Sequence, residues 1–552
     1  MKKIPIGVDN FEGLITSDSY YVDKTKVIED LLDNQSTGSV SLFHRPRRFG
    51  KTLLMSTLDN FFDIDKRDSN KDLFNGLYIN KSKYKDVQGT YPIINLSFKE
   101  LKQNTYESVI SQFRILMSSV YDSKKYIYDT LDENKKNTFN DILFERSSIE
   151  HLKNSIKFLS ECLYRYHNKK VIILIDEYDV PIQEGYLDGF YDEIIRFIRT
   201  VLSSALKTNN LLEMAVLTGV LKVSKESIFS DLNNLEVYSI RNNSYEEYFG
   251  FTEEETKELL EYYGLELTKD VKDMYDGYDF GGVNIYNPWS ILKYARNKTL
   301  DTYWINTSGN DLIKDMLLKT SDENKNKIET LALGKTLPFT YNDKITYQDF
   351  DNYNDLNNIL NIMFSSGYLT LSESKIDNIG DIQDYVKIPN LEVKRLITDI
   401  MIHLNQKDTK NNTLYLVKEF NRALIDNNKT KIENILNEMF MSLSFMDSQE
   451  YFYHAYTLGI FKTLLDKSTF VVKSNREAGS GRFDVYIRKT DNSVGFIIEF
   501  KLAKSEDEME TKALEAIKQM KEKEYYKELV LEGFTNINEI TMVFHGKKVI
   551  VR

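Results

Sequence analysis

Four short apolar runs alternate with helix-forming segments in the first 220 residues, and this alternation constrains the fold more than any other feature of the sequence. The runs are SVSLF (39–43), YPIINLSF (91–98), KKVIILIDE (169–177) and LLEMAVLTG (211–219). Continuous apolar runs of this length are typical of strands buried on both faces, and their alternation with helices is typical of a parallel sheet. We therefore predict a parallel α/β sheet domain over residues 1–240.

The rest of the chain divides into a helical stretch and a second α/β stretch. Its 552 residues exceed what one hydrophobic core usually serves, so more than one domain is expected. Residues 241–410 have mostly helical spacing, and FSSGYLTL…DYVKIPN within them predicts a β-hairpin after a helix, as in a winged-helix element. Residues 411–552 begin with helices, enter strands at Phe470 and return to a helix at 506–526, which predicts a mixed α/β domain.

Charge, cysteine content and hydropathy limit the classes of function. The formal net charge of −12 argues against a surface that binds nucleic acid over most of its area, but it is compatible with a local basic groove. The single cysteine, Cys162, excludes an intramolecular disulfide and a multi-cysteine zinc site. The longest strongly apolar run, Val171–Ile175, is too short to span a bilayer, and Asp9 and Glu12 interrupt any signal-peptide core. We expect a cytoplasmic protein with no membrane partner.

A glycine-lysine-threonine motif follows the first apolar run, in HRPRRFGKTLL (44–54). In a complete phosphate-binding loop, glycines let backbone N–H groups face the phosphates, a lysine reaches the β and γ phosphates, and a hydroxyl holds magnesium. Arg45 stands where the first glycine is expected, and arginines can replace part of the amide cradle because their planar fork donates two bonds to one phosphate. With Arg45 as a further loop charge, the predicted nucleotide-binding residues are Arg47, Arg48, Gly50, Lys51 and Thr52. The alternative is a basic surface turn between strand and helix.

Two carboxylates end the apolar run VIILIDEYD, at the sheet edge where parallel α/β folds bind ligands. We predict that Asp176 binds the nucleotide's Mg²⁺ together with Thr52, and that Glu177 orients or deprotonates the attacking water. Thr218, at the end of the fourth run, is a candidate sensor of the γ phosphate; the alternative is a strand cap. These residues predict ATP and Mg²⁺ as cofactors.

A second pattern lies in GSGRFDVYIRKTDNSVGFIIEFK (479–501). If Asp491 and Asn492 form a hairpin turn, Asp484 and Glu499 are directly opposed, with their side chains on one face about 5 Å apart. Lys501 shares that face, because side chains alternate along a strand. Opposed acids repel each other, and a Mg²⁺ ion bound by both carboxylates relieves the repulsion while Lys501 stabilises charge or positions a water. The alternative is a solvated acid–lysine cluster.

Several segments together resemble a known family. They are SYYVDKTKVIEDLL, HRPRRFGKTLL, VIILIDEYD, LTGVLKVSKESIFSDLNNL and YNPWSIL, followed by the D…E-x-K pattern. The sequence is similar to AAA-ATPase-like proteins that carry a carboxyl-terminal PD-(D/E)XK nuclease domain, in which the RPRRFGKT form of the loop is usual. The resemblance implies an AAA-like P-loop domain at 1–240, a helical connector at 241–410 and a restriction-endonuclease-like domain at 411–552. It also makes Glu450 a candidate additional acid, with a solvated helix residue as the alternative, and Gln519 a candidate near the substrate.

The leading hypothesis is an ATP-regulated, Mg²⁺-dependent nuclease acting on nucleic acid, with DNA favoured over RNA. A nucleotide-dependent switch with an inactive nuclease fold is the first alternative, and a DNA-binding regulator using the winged helix is the second. A homo-oligomer is allowed, since a neighbouring copy could supply an arginine to the ATP site. The arginines considered for that role are Arg196, Arg199 and Arg241.

Overall fold

Five parallel strands form the sheet of the amino-terminal region, as the apolar runs predict. The computed structural model describes residues 1–34, 36–221, 229, 232–304, 311–342, 349, 352–376, 382–404, 413–441, 457, 461, 465, 469–478, 481–491 and 493–552. The strand order is β2-β3-β4-β1-β5, and every neighbouring pair is parallel. The strands are β1 (Ser39–His44), β2 (Ile93–Ser97), β3 (Val171–Asp176), β4 (Leu212–Gly219) and β5 (Leu235–Tyr238). The first four are those predicted, and they are buried on both faces over most of their length.

Helices connect these strands, and one of them begins directly at the glycine-lysine-threonine motif. They are α1 (Phe11–Thr16), α2 (Lys26–Asn34), α3 (Lys51–Phe62), α4 (Tyr106–Ser123), α5 (Glu133–Leu143), α6 (Ile149–Lys153), α7 (Ser155–His167), α8 (Val180–Asp188) and α9 (Tyr191–Leu202). The residue before α3 is Gly50, whose φ of 90° lies in the left-handed region that favours glycine. This glycine turns the chain from β1 into α3.

The segment after the sheet is mainly helical, and the predicted hairpin is present. Its elements are α10 (Glu253–Tyr262), α11 (Lys269–Tyr275), β6 (Tyr278–Phe280), β7 (Val283–Ile285), α12 (Pro288–Asn297), α13 (Asp311–Lys319), α14 (Asp322–Ala332), β8 (Leu337–Phe339), α15 (Leu356–Ser365), β9 (Thr370–Ile376), β10 (Ile382–Lys387) and α16 (Leu391–Leu404). Strands β9 and β10 form the hairpin, and β8 joins it in a three-stranded antiparallel sheet.

The helix before this hairpin, α15, is unsuited to reading DNA. A winged-helix reader places an exposed, polar helix face in the major groove. Residues Ile359–Phe364 of α15 are all buried, and the helix sequence LNNILNIMFS carries no basic residue. This buried stretch of α15 is therefore not available to contact bases, and the DNA-binding regulator stays a prediction.

The carboxyl-terminal region holds a five-stranded mixed sheet covered by helices. Its elements are α17 (Thr413–Ile425), α18 (Lys429–Met441), β11 (Phe470–Ala478), β12 (Gly481–Lys489), β13 (Gly495–Leu502), α19 (Met509–Lys523), α20 (Tyr526–Leu531), β14 (Ile537–His545) and β15 (Lys548–Val551). The order is β11-β12-β13-β14-β15, antiparallel except for the parallel pair β13–β14. Apolar clusters cover both faces of β13, one with Phe496 and Ile498 and one with Ile497, which explains its uninterrupted apolar sequence.

The chain divides into two compact units, unit 1 (Met1–Ile400) and unit 2 (Met401–Arg552). The three-domain division drawn from the sequence stays a prediction. Across the part of the chain that the structure describes, no helix combines the length and apolar character needed to cross a bilayer.

Candidate nucleotide and nuclease sites

The loop between β1 and α3 carries a buried lysine that is bonded to the loop itself. The ammonium of Lys51 donates to the carbonyl oxygens of Arg45 and Pro46, at 2.9 Å each. Burial lowers the pKa of Lys51, while the charges of Glu177 and Asp176 act in the opposite direction. A lysine aimed at loop carbonyls can exchange them for phosphate oxygens with little movement of the helix that carries it.

Three of the predicted site residues meet at the carboxyl edge of the sheet. Asp176 ends β3, and its carboxylate accepts hydrogen bonds from the hydroxyl of Thr52 at 2.8 Å and from the hydroxyl of Thr218. Asp176 is 3% exposed, so this contact is shielded from water. The structure thus places a hydroxyl of α3, a carboxylate of β3 and a hydroxyl of β4 together, which are oxygen ligands of the kind that Mg²⁺ prefers.

Glu177 follows Asp176 in a backbone conformation that is unfavourable for glutamate. Its φ is 54°, and its N–H donates to the Thr218 hydroxyl at 3.3 Å. Burial raises the pKa of Glu177, and the nearby Lys51 opposes the rise. Backbone strain of this kind persists where the surrounding structure enforces it, and it is concentrated at functional sites.

The guanidinium of Arg45 is bonded to backbone carbonyls, which corrects the expectation that it serves as a further phosphate-binding charge of the loop. Its side chain is fully buried and donates to the carbonyl oxygens of His44 at 2.9 Å and Tyr238 at 2.8 Å. Its guanidinium carbon lies 4.8 Å from the centre of the Phe249 ring. Burial lowers the pKa of Arg45 to about 9. The residue that replaces the first glycine therefore fastens the loop to β5.

Arg47 and Arg48 contact the only two tryptophans of the sequence. The carbonyl oxygen of Arg47 accepts a hydrogen bond from the indole N–H of Trp304 at 3.2 Å. The guanidinium carbon of Arg48 lies 4.5 Å from the centre of the Trp289 ring, within cation–π distance. The sequence-based reading missed both tryptophans as neighbours of the loop, although YNPWSIL was among the segments that carried the resemblance.

A cavity of about 360 Å³ adjoins the loop and is lined by Gly50, Lys51, Thr52 and Glu177. This volume lies within the range of small-ligand pockets, which starts at about 300 Å³. The cavity also has an apolar wall. That wall is formed by Tyr20, Tyr21, Val22, Phe251, Trp289 and Leu292.

Asp179, a carboxylate that was not singled out from the sequence, fastens the segment after β4. Its Oδ2 accepts the N–H groups of Val220 at 2.9 Å and Leu221 at 3.0 Å. A Cβ on Gly219 would lie 2.6 Å from the Tyr178 ring and 2.9 Å from Asp179 Oδ1, so glycine is needed there. The DEYD sequence offered the signal, because a further acid follows the predicted pair.

The candidate arginines for completing the ATP site differ in their surroundings. Arg241 forms an ion pair with Asp384 of β10, so its side chain is already engaged within the same chain. Arg196 is exposed on α9, and Arg199 is partly buried on the same helix. A role for any of them stays a prediction.

In unit 2, the β12–β13 register is the one expected from the sequence. Val485 pairs with Ile498 and Arg488 with Gly495, a register that places Asp484 opposite Glu499 when continued by one residue. The connection is longer than a two-residue turn, because the N–H of Lys489 donates to the carbonyl of Val494 at 3.0 Å. This longer connection is centred between residues 491 and 492, as the predicted turn is, so the register of the two strands is preserved.

The predicted acids and lysine come together just past the last of these paired residues. The Asp484 carboxylate accepts the N–H of Phe500 at 2.8 Å, which holds it beside the strand that carries Glu499. The Lys501 ammonium lies 3.1 Å from Glu499 Oε1. Phe500 is buried on the opposite face of the strand. The side chains of Glu499 and Lys501 thus share one face.

Gln519 of α19 also reaches this cluster. Its amide nitrogen donates to Glu499 Oε1 at 2.7 Å and to the hydroxyl of Tyr525 at 3.3 Å. Helix α19 ends at Lys523, and Glu524 follows with a left-handed φ of 50°. This bend returns Tyr525 to Gln519 although the two are six positions apart in the sequence.

The second carboxylate oxygen of Glu499 is buried. Glu499 is 3% exposed, and its Oε2 is buried without a donor in the part of the chain that the structure describes. Burial raises the pKa of Glu499, and the neighbouring Asp484 raises it further. A buried carboxylate oxygen without a donor, next to a second carboxylate, fits a cation ligand.

The described residues provide two carboxylates for such an ion. They contain no group of three or more His, Cys, Asp or Glu side chains placed to hold a metal. Mg²⁺ is commonly held by one or two carboxylates and completes its shell with water, so Asp484 and Glu499 suffice. Glu450, the candidate additional acid, lies outside the described residues.

Comparison with known proteins agrees with this geometry. Residues 5–229 match the family model described as "Predicted AAA-ATPase", and residues 448–552 match that of the PD-(D/E)XK nuclease superfamily. The chain is 25% identical over 536 residues to an "Uncharacterized protein in vnfD 5'region" of Azotobacter chroococcum mcd 1, covering 95% of this chain and 93% of that protein.

A second similarity covers only part of the chain. The match is to a "Structural maintenance of chromosomes protein 3 homolog" of Plasmodium falciparum (isolate 3D7), at 25% identity over 301 residues. It spans 52% of this chain and 23% of that protein. The chain therefore carries a region that matches predicted AAA-ATPases at residues 5–229 and one that matches the PD-(D/E)XK nuclease superfamily at residues 448–552.

Proposed function

We propose that this protein is a Mg²⁺-dependent nuclease whose cutting of nucleic acid is controlled by ATP bound in unit 1. The observation that carries the proposal is the buried Oε2 of Glu499, which has no donor among the described residues and lies beside Asp484 and Lys501. A structural acid–lysine pair would leave both carboxylate oxygens bonded or exposed to water. Here one oxygen is held by Lys501 and Gln519 while the other is kept for a cation.

Each side chain of the acid–lysine cluster in unit 2 has a defined role in phosphodiester hydrolysis. Asp484 and Glu499 would hold Mg²⁺, which would polarise the phosphate and lower the pKa of a coordinated water. Lys501 places its positive charge at the same face, where it stabilises the negative charge that develops on the phosphate as the P–O bond breaks. Gln519 holds Glu499 in its orientation. DNA is the favoured substrate, and RNA is the alternative.

The residues of unit 1 fit the binding of ATP with Mg²⁺. Lys51 exchanges the carbonyls of Arg45 and Pro46 for the β and γ phosphates, and Gly50 and the first N–H groups of α3 face the anion. Thr52 and Asp176, already in contact, provide the oxygen atoms for Mg²⁺. Glu177, with its raised pKa, is assigned to the attacking water, and Thr218 connects Asp176 and Glu177.

The test is a cleavage assay on labelled single- and double-stranded DNA and RNA with Mg²⁺, with and without ATP. We compare the natural protein with Lys51→Ala and Lys501→Ala. Lys71→Ala and Lys518→Ala serve as matched controls, because both lysines are exposed. The proposal expects Lys501→Ala to lose cutting and Lys51→Ala to keep it without a response to ATP.

One alternative function is separated by the same assay. If no substrate is cut under any condition while nucleotide still binds, the protein is a nucleotide-dependent switch with an inactive nuclease fold. The two bonds from Lys51 to loop carbonyls are compatible with this candidate, because ATP that displaces them could change the loop without being hydrolysed. Phosphate release by the natural protein and by Glu177→Gln separates turnover from binding alone.

A further inference from the structure

The phosphate loop is packed against the segment that follows the sheet. A Cβ on Gly367 would lie 2.8 Å from Cβ of Pro46, so the loop and that segment are in close contact. The ring of Phe49 lies 5.0 Å from that of Tyr278, in an edge-to-face arrangement. The bulky residues of the loop therefore serve as contacts within unit 1.

Between these two contacts, Arg47 is bonded to Trp304 and Arg48 stacks on Trp289. Arg48 has a φ of 69°, which is unfavourable for a residue with a side chain. The stacking on Trp289 supports this conformation from outside the loop. The shape that glycines give to an ordinary phosphate loop is thus held here by neighbouring side chains.

One buried carboxylate connects both tryptophans. Glu392, the second residue of α16, is 1% exposed. It accepts the backbone N–H of Trp304 at 2.5 Å and the hydroxyl of Ser290, the residue after Trp289, at 2.7 Å. Breaking either bond leaves a donor buried without a partner, which is costly.

We propose that Glu392 is a positioning residue for the nucleotide site, which holds the phosphate loop through Trp289 and Trp304 and links it to α16. This inference rests on the proposed function, since it presumes that nucleotide binds at the loop. Lys51 must leave the carbonyls of Arg45 and Pro46 to reach phosphate, and this disturbs the loop at those two residues. The next two residues of the loop are the arginines that contact the tryptophans. Helix α16 begins at Leu391, so Glu392 lies in its first turn and ties that turn to the neighbours of the loop.

The tryptophans supply the assay, because both lie beside the loop and the sequence contains no others. Tryptophan emission is titrated with ATP and Mg²⁺ in the natural protein, Glu392→Ala and Glu392→Gln, with Glu254→Ala as an exposed control. Glutamine keeps an acceptor for the Trp304 N–H, and its amide can donate to the Ser290 hydroxyl. We expect Glu392→Ala to raise the Kd for ATP about tenfold and to raise by the same factor the ATP concentration at which cutting responds, and Glu392→Gln to restore both.

A second variant guards against misfolding of Glu392→Ala. Trp304→Phe removes the indole N–H that donates to the Arg47 carbonyl, keeps an aromatic ring beside Tyr368 and leaves Glu392 in place. It is also expected to raise the Kd, measured by the emission of Trp289. Its effect and that of Glu392→Ala should be less than additive, because both act through one contact.

The outcomes separate this inference from the proposed function. Equal ATP affinity and equal ATP response in all Glu392 and Trp304 variants would overturn the inference while leaving an ATP-controlled nuclease intact. If ATP changes neither the tryptophan emission nor the rate of cutting of the natural protein, both the proposed nucleotide control and this inference are overturned. A loss in Glu392→Ala that Glu392→Gln restores supports the positioning role.

Discussion

The buried carboxylate of Glu392 predicts a pH-dependent stability of unit 1 that a neutral substitution removes. Burial raises the pKa of Glu392 from 4.5 to about 7, and the charge of Asp301 adds to the rise. Hydrogen bonds from Ser290 and from the backbone N–H of Trp304 act in the opposite direction, but burial outweighs them. A rise of this size, at about 1.4 kcal/mol per pKa unit, corresponds to about 3 kcal/mol.

The sign follows from where the proton is bound. Between pH 4.5 and about 7 the folded state keeps the Glu392 proton while the unfolded chain releases it. The contribution to stability is therefore complete below pH 4.5 and is lost as the pH rises through 7. Glu392→Gln cannot ionise, so its free energy of unfolding should improve by about 3 kcal/mol relative to the natural protein between pH 4.5 and pH 8.

Urea unfolding followed by tryptophan emission measures this difference. Both tryptophans lie in unit 1, so the signal does not report on unit 2. The free energy of unfolding is determined for both proteins at several pH values, and the difference between them is plotted. A difference that stays constant from pH 4.5 to pH 8 would refute the claim that Glu392 is buried with a raised pKa.

Three further substitutions test the sites. Glu499→Gln should lose cutting and yet slow hydrogen exchange of β13 in EDTA, because it removes the negative charge of a buried carboxylate beside Asp484; exchange faster than in the natural protein would contradict this. Gln519→Ala should reduce the rate of cutting about 10- to 100-fold at fixed Mg²⁺, by freeing Glu499, whereas Lys518→Ala on the same helix should not. Gly219→Ala should lower the free energy of unfolding of unit 1 by about 1–3 kcal/mol, since its Cβ would lie 2.6 Å from the Tyr178 ring; unchanged urea unfolding would argue against this packing.

The parallel sheet could be predicted because its main strands are buried on both faces and therefore appear as uninterrupted apolar runs. Strand β5, Leu235–Tyr238, escaped notice because it is short and only Tyr238 in it is buried. The hairpin register of Asp484 and Glu499 was predictable from symmetry about the turn, since a longer connection with the same centre leaves the register unchanged. Local sequence patterns were thus sufficient to predict the main strands and the central residues of the nuclease site.

Contacts between distant parts of the chain could not be predicted in the same way. Arg45 has the residue type of a phosphate ligand, and only its burial against Tyr238 shows that it fastens the loop to β5. Gln519 and Tyr525 are six positions apart, so a straight helix would separate their side chains, and the left-handed Glu524 brings them together. The partners of Glu392 lie about a hundred residues earlier in the chain, beyond the reach of any local pattern.

The most direct test of the account is the initial rate at which the full chain cuts labelled duplex DNA with Mg²⁺, measured with and without ATP. An ATP-controlled nuclease predicts cutting that requires Lys501 and a rate that changes with ATP only when Lys51 is present. Cutting that persists in Lys501→Ala, or a rate that ATP leaves unchanged in the natural protein, would contradict the central claim.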